Sequence, residues 1–272
     1  MSGPRKSICV DCVLFTLKDA DVFENKYVSI FFIWLSVLCK TADLDEHDLL
    51  NIKVDARTEE YLSKDLVFTK LLESTKFQKQ VTVFPPPLTL KEGTMMRYGY
   101  IEFKQDIYMY CDIDILVLKS LHIFSETMIP DSIYLHAEGL LTNSNYGADF
   151  TKEELSSFIQ DSVGFSSGKF FIYGKDLYKE FTFLVENNCA KSSNKYYYTL
   201  DQPYFNKAVY MLNREKCNVN YDMFNPKTIP THLEHYSYPT AFFIGGMGEP
   251  GDGSLHLQKL IRYYIMFQLG QL

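Results

Sequence analysis

Residues 107–121 of the chain read IYMYCDIDILVLKSL, and this stretch decides the fold that we expect. An apolar run ends at Cys111, aspartates follow at positions 112 and 114, and a second apolar run begins at Ile115. Ionised carboxylates are rarely placed between two hydrophobic strands without a counter-charge, because removing them from water is costly. The pattern therefore predicts a buried strand that ends in a turn carrying Asp112 and Asp114.

The spacing of these two aspartates is also compatible with a metal site. Alternation along an extended chain places both side chains on one face, and a kink at the strand end lets both reach one divalent cation. Mn²⁺ or Mg²⁺ is favoured, because these ions prefer hard oxygen ligands and no Cys or His cluster lies beside the pair. Alternatively, one aspartate caps a helix and the other is solvated. A bare Asp-x-Asp is common enough to leave both interpretations open.

Outward from this stretch, apolar runs rich in β-branched and aromatic residues alternate with amphipathic segments. This alternation is typical of strands with helical crossovers, and it predicts an α/β fold with a mainly parallel central sheet flanked by helices. The run Pro85-Pro86-Pro87 should end the third strand. Predicted strands are 9–17, 50–54, 81–84, 107–111, 133–136, 168–173 and 240–244. Predicted helices are 25–39, 58–69, 93–103, 152–161, 174–187, 201–212 and 256–268.

Composition and charge limit the possible partners. The 272 residues are 46% hydrophobic and 22% charged, as in a chain that buries a substantial core. With 34 acidic against 27 basic residues the formal charge is −7, so the chain has no basic field to attract a polyanion. We therefore expect no nucleic-acid partner.

The sequence also suggests where the protein resides. The six cysteines are scattered, and the opening MSGPRKS has no apolar run of the signal-peptide type, so we expect reduced thiols in a cytoplasmic protein. Cys9-x-x-Cys12 has no second pair with which to form a zinc site. The longest apolar run, residues 28–39, is shorter than the roughly twenty residues that a membrane span needs. It predicts a buried helix, and we expect no transmembrane segment.

Four segments together resemble a known family. Residues 110–114 (YCDID), followed by VLKSL at 117–121, resemble the DxD region of GT-A-fold glycosyltransferases, most closely the glycogenin and lipopolysaccharide galactosyltransferase group. Residues 93–98 (GTMMRY) carry Arg97 where that family has an arginine facing the donor. Residues 165–172 (FSSGKFFI) resemble its Phe-Asn-Ser-Gly stretch, with Ser166 in place of Asn, and residues 201–206 (DQPYFN) resemble its Asp-Gln-x-x-x-Asn motif.

The resemblance spans roughly residues 6–260 and implies a fold, a domain organisation and an activity. It implies a Rossmann-like GT-A domain over residues 1–272, with a nucleotide-binding half at 1–120 and an acceptor-side half at 121–272. The implied activity is metal-dependent transfer of a sugar from a nucleotide-sugar donor, with a UDP-sugar favoured. A glycan, a glycoprotein or another hydroxyl compound would be the acceptor. Retention of anomeric configuration by front-face attack is the stereochemistry that the family suggests.

The implied site residues have physical reasons to be there. A departing diphosphate gains charge, and a chain of net charge −7 needs a local cation to stabilise it. Asp112 and Asp114, with Ile113 between them, would hold Mn²⁺ or Mg²⁺, and Arg97 would add a fixed positive charge. The alternative for Arg97 is an exposed position on a surface helix.

Two further segments carry the remaining residues of this part of the site. Ser166, Ser167 and Gly168 would let the backbone approach the sugar, or they form a simple turn. Asp201 and Gln202 would lie at the anomeric carbon as catalytic residues, and Asp201 also suits the N-cap of a helix.

Two further parts of the site are less determined by the sequence. Members of the resembled family usually supply a third metal ligand as a His shortly before a late glycine, but Ile244 stands there in this chain. We favour His256, followed by Lys259 as a phosphate contact, with His235 as the rival ligand. In α/β sheets ligands bind at the carboxyl ends of strands, which predicts Thr16, Leu17 and Lys18 at the nucleoside. Tyr27 either stacks on the base or is buried against Trp34.

Two other functions remain open. A nucleotidyltransferase also needs carboxylates and a metal, but residues 14–21 have no glycine for a phosphate loop. A glycosyltransferase-like protein that binds a nucleotide-sugar without turnover would explain the missing late His and Ser166.

Overall fold

The structure is a computed structural model that describes residues 5–157, 162–192, 200–215, 218–220, 243–245 and 254–270. Strands and helices alternate along these ranges. The strands are β1 (Ile8–Leu14), β2 (Leu49–Asp55), β3 (Gln78–Phe84), β4 (Ile107–Cys111), β5 (Ile115–Val117), β6 (Ser132–Leu140), β7 (Val163–Tyr173), β8 (Asn218–Asn220) and β9 (Phe243–Gly245). The helices are α1 (Lys26–Thr41), α2 (Ala56–Lys64), α3 (Leu66–Glu73), α4 (Leu90–Met95), α5 (His122–Thr127), α6 (Ser144–Gly147), α7 (Lys152–Ser156), α8 (Lys175–Lys191), α9 (Gln202–Glu215) and α10 (Ser254–Gln268), with a 3-10 turn at Met96–Tyr98.

Within the described ranges, a central sheet of seven strands has the order β3-β2-β1-β4-β7-β6-β8. β3, β2, β1 and β4 are parallel to one another, whereas β7 is antiparallel to both β4 and β6. β5 and β9 form a separate antiparallel pair. The predicted α/β class with a mainly parallel sheet flanked by helices is confirmed.

Each face of the sheet carries its own hydrophobic core. On the first face, α1 and α10 pack through residues such as Trp34 and Tyr263. On the second face, α8 and α9 pack through residues such as Phe181 and Phe205. Cys9 belongs to the second core and Cys12 to the first, because side chains three positions apart on a strand point to opposite faces. This pair therefore cannot bind one metal ion.

Helix α1 contains the long apolar run, as predicted. Its N-terminus is capped by Asn25, whose side chain accepts the Tyr27 N–H, and Trp34 and Leu35 are fully buried. None of the helices in the described ranges has the length and apolar character needed to cross a lipid bilayer.

Several predicted elements differ from the structure. The helix predicted at 93–103 is replaced by α4 and the 3-10 turn, and the helix predicted at 58–69 is split at Asp65, whose side chain caps α3. The strand predicted at 168–173 extends back to Val163 and is antiparallel to both of its neighbours. β3 ends at Phe84, before the three prolines, as predicted.

Candidate functional site

The turn between β4 and β5 carries the two aspartates. The Asp112 N–H donates to the Gly168 carbonyl of β7 at 2.7 Å, and the Ile115 N–H donates to the Asp112 carbonyl at 3.0 Å. Ile113 is buried in the first core. The side chains of Asp112 and Asp114 are 29% and 17% exposed. The turn thus presents two carboxylates at the carboxyl end of β4, where ligands of α/β sheets bind.

Arg97 joins this turn to the second half of the chain. Its Nη2 lies 3.3 Å from Oδ1 of Asp112, and its Nη1 lies 3.3 Å from Oδ2 of Asp201. Nη1 also donates to the carbonyl and the Oγ of Ser167, both at 3.1 Å. Arg97 is only 8% exposed, so it is not the surface residue of the alternative interpretation. A single guanidinium therefore contacts three segments that are remote in sequence.

The start of α9 places Asp201 and Gln202 against the same cluster. Asp201 accepts a hydrogen bond from the hydroxyl of Tyr98 in addition to its ion pair with Arg97. The Oε1 of Gln202 accepts the Ser167 N–H at 3.3 Å. Asp201 also precedes the first residue of α9, so it occupies the N-cap position as well. The N-cap interpretation of Asp201 fits the structure, and the catalytic role of Asp201 and Gln202 stays a prediction.

The docking of α9 onto β7 fixes these positions. Asn206 Nδ2 donates to the Phe165 carbonyl at 2.9 Å, and Asn206 Oδ1 accepts the Phe165 N–H at 2.8 Å. Asn206 is completely buried. The side-chain amide of Asn206 thus hydrogen-bonds to the β7 backbone as a neighbouring strand would. This contact holds the first turn of α9 beside Ser167.

Gly168 is the point at which the β7 backbone approaches the aspartate turn. A Cβ at this position would lie 2.9 Å from Oδ2 of Asp112, 3.3 Å from Cδ1 of Ile115 and 3.5 Å from Oγ of Ser166. Carbon and oxygen atoms rarely approach so closely. The glycine therefore leaves room for the Asp112 carboxylate, and Ser166 lies on the same side.

Burial changes the acid strength of the two aspartates. Burial raises the pKa of Asp112 to about 7 and that of Asp114 to about 6, although the charge of Arg97 acts in the opposite direction on both. The carboxylates thus have too little counter-charge for their burial. A bound cation would supply it.

His256 lies beside Asp114. Its Nδ1 is 3.6 Å from Oδ2 of Asp114 and 3.4 Å from the hydroxyl of Tyr27. The ring is 7% exposed on α10. Lys259, one helical turn further along α10, is partly exposed. The rival ligand His235 lies outside the described residues.

The chemistry of these side chains suits a hard divalent cation. Donor atoms bound to one such ion lie about 3 Å apart, which the Asp114–His256 separation of 3.6 Å approaches. Asp112 is instead paired with Arg97. Across the described ranges, no group of three or more His, Cys, Asp or Glu side chains is arranged as a complete metal site. Asp114 and His256 lie close together, and Asp112 would have to leave Arg97 to join them at one ion.

Three of the predicted nucleoside residues, Thr16, Leu17 and Lys18, lie in the loop after β1, whereas the fourth, Tyr27, lies on α1 and contacts His256. Thr16 is 2% exposed, and its N–H donates to Oδ2 of Asp55 at 2.8 Å. The carbonyls of Leu17 and Lys18 accept from Arg57. These contacts show how the loop after β1 is held.

Residues that sequence reasoning missed lie directly under the site. Lys53 is completely buried, 2.8 Å from Asp11, and donates to the Arg97 carbonyl at 2.8 Å. Lys169 follows Gly168 and is 2% exposed. Burial lowers its pKa to about 8, opposed by nearby acidic groups that include Asp112. In both cases the feature of the sequence that could have identified the residue was a lysine inside an apolar strand.

The comparisons with known proteins add no assignment. No protein-family model matches the chain, and a search of curated proteins gives no significant match.

Proposed function

We propose that the protein is a metal-dependent glycosyltransferase that moves a sugar from a nucleotide-sugar, a UDP-sugar in particular, to the hydroxyl of a glycan, a glycoprotein or another acceptor in the cytoplasm. The observation that carries the proposal is the position of Arg97 between Asp112 and Asp201, with Ser167 on the same guanidinium. Through this guanidinium, the segment of Arg97 contacts the other three segments quoted for the GT-A resemblance.

The cationic part of the site would stabilise the leaving group. Mn²⁺ or Mg²⁺, when bound by Asp112, Asp114 and His256, would neutralise the diphosphate. Arg97 would exchange part of its contact with Asp112 for a contact with a phosphate oxygen, because a guanidinium binds both groups in the same planar geometry. In a chain of net charge −7, the cation and Arg97 would thus place positive charge locally, beside the diphosphate.

The amide of Gln202 would act at the sugar. Its Oε1 is fixed by the Ser167 N–H, and its residue is 8% exposed. A neutral amide oxygen stabilises positive charge at an anomeric carbon without forming a durable covalent bond. The sugar would lie along Ser166, Ser167 and Gly168. The hydroxyls of the two serines would then be available to hydrogen-bond with the hydroxyls of the sugar. This division of roles is compatible with retention of configuration.

Release of UDP from UDP-glucose and UDP-galactose, with and without Mn²⁺, tests the proposal. We expect metal-dependent release by the wild type, a loss of at least tenfold in kcat/KM in Arg97→Lys, and near-complete loss in Asp114→Asn. Asp176→Asn, an exposed acid in the first turn of α8, is the matched control and should retain full activity. Tight UDP binding without turnover would instead support a non-catalytic binding protein, and absence of nucleotide binding would refute the proposal.

A further inference from the structure

His136 is a buried imidazole to which the described part of the chain gives no hydrogen-bond partner. The residue is 7% exposed and lies at the middle of β6. Neither of its ring nitrogens has a hydrogen-bond partner within the described ranges. Buried polar side chains almost always have a partner, so this exception needs a physical reason.

An irregularity in the β6–β7 pairing places His136 opposite Ser166 of the candidate site. Leu135 pairs with Phe170, but His136 pairs with Ser166, so residues 167–169 leave the β6–β7 ladder. This segment follows β4 instead: Lys169 pairs with Cys111, and the Gly168 carbonyl accepts the Asp112 N–H. His136 therefore lies across from the serine that borders the aspartate turn.

The protonation state of the ring suits a neutral ligand. Burial, assisted by the charge of Lys169, lowers the pKa of His136 to about 3. The neutral imidazole offers one N–H donor and one nitrogen acceptor. A hydroxyl group can accept from the first and donate to the second, whereas an anion would require a charged partner.

The order of the strands indicates which part of a substrate reaches His136. The predicted nucleoside end lies at β1 and the aspartate turn at the end of β4, followed by β7 and β6. Adjacent strands are about 4.8 Å apart, which places β6 about 10 Å beyond β4. That distance leaves room for a sugar attached to the diphosphate.

We propose that His136 binds a hydroxyl group of a sugar substrate. The inference rests on the proposed function and extends it to the side of β7 opposite β4. The hydroxyl belongs either to the donor sugar or to the acceptor, since both meet near this strand. His136 would be left without partners in the ligand-free protein because its partner arrives with the substrate.

His136→Leu and His136→Gln test the inference, with His47→Gln, an exposed histidine, as the control. Without ligand, the melting temperature of His136→Leu should equal or exceed that of the wild type, because the ring has no hydrogen bond to the described residues to lose. If the hydroxyl is on the donor, UDP-glucose or UDP-galactose binding weakens about 3- to 30-fold while UDP binding is unchanged. If it is on the acceptor, donor binding is unchanged and KM for free glucose or galactose rises by a similar factor.

The glutamine variant should recover part of either loss, because an amide also donates and accepts. A melting temperature lowered by several degrees in ligand-free His136→Leu would show a structural role and overturn the inference. Unchanged donor affinity together with unchanged acceptor KM would overturn it while the proposed function stands. If the wild-type protein binds no nucleotide-sugar, both the proposed function and this inference are overturned. Binding to the wild type is therefore measured before any variant is made.

Discussion

Lys53→Met probes the buried ion pair beneath the site. Lys53 Nζ lies 2.8 Å from Oδ2 of Asp11, and both side chains are fully buried. The substitution leaves the Asp11 carboxylate with Asn51 and Tyr108 as its neutral donors. Removing one partner of a buried pair costs about 3–5 kcal/mol, and the lost bond to the Arg97 carbonyl adds about 1 kcal/mol. We therefore expect the free energy of unfolding to fall by about 4–6 kcal/mol.

Urea unfolding followed by circular dichroism measures this loss. The double variant Asp11→Asn/Lys53→Met should recover at least half of it, because the uncompensated charge is gone. Lys64→Met is the matched control: its ion pair with Glu60 is exposed, and no measurable loss is expected. A loss below about 1 kcal/mol in Lys53→Met would refute the reasoning, since it would mean that the buried carboxylate is tolerated without its partner.

Three further outcomes follow from the site. Gly168→Ala should displace the Asp112 carboxylate and lower UDP-sugar hydrolysis more than tenfold. The melting temperature should change little, because the clash is with the end of a side chain. Hydrolysis at the wild-type rate would contradict this prediction. Burial raises the pKa values of Asp112 and Asp114, so the stability that their protonated forms contribute is present at about pH 4 and lost as the pH rises through about 6–7. Mn²⁺ binds the ionised forms and should raise the melting temperature more at about pH 7.5 than at about pH 5.5, and a pH-independent effect would count against binding at these aspartates. Tyr98→Phe removes the hydroxyl bonded to Asp201 and should lower kcat with little change in KM for the donor; a change confined to KM would exclude this role.

The sequence predicted the parts of the fold that depend on local pattern. The buried helix α1, the end of β3 before the prolines and the turn after β4 each follow from apolar runs and the residues that interrupt them. The antiparallel direction of β7 was not predicted, because a strand of buried residues has the same pattern in either direction. The helix around Arg97 is shorter than predicted because of a tertiary contact. Lys53 donates to the Arg97 carbonyl, which in a longer helix would accept a hydrogen bond from the helix backbone.

The site was partly predictable for a similar reason. Asp112, Asp201 and Gln202 were identified from motifs whose spacing is local, and the structure brings them together. The contact of Arg97 with both carboxylates was not predictable, because it depends on the way in which α9 meets β7. Lys169 and His136 escaped notice because a single polar residue in an apolar strand has no periodicity of its own.

The central sheet crosses the proposed division at residue 120. β4 belongs to the first half of the chain and pairs with β7 of the second half, and Arg97 contacts a carboxylate from each. Each half on its own would therefore lack a strand partner and an ionic contact that the other half supplies. Fragments 1–120 and 121–272 expressed separately would each present an uncovered strand edge, and only their reassociation would restore a charge-balanced centre.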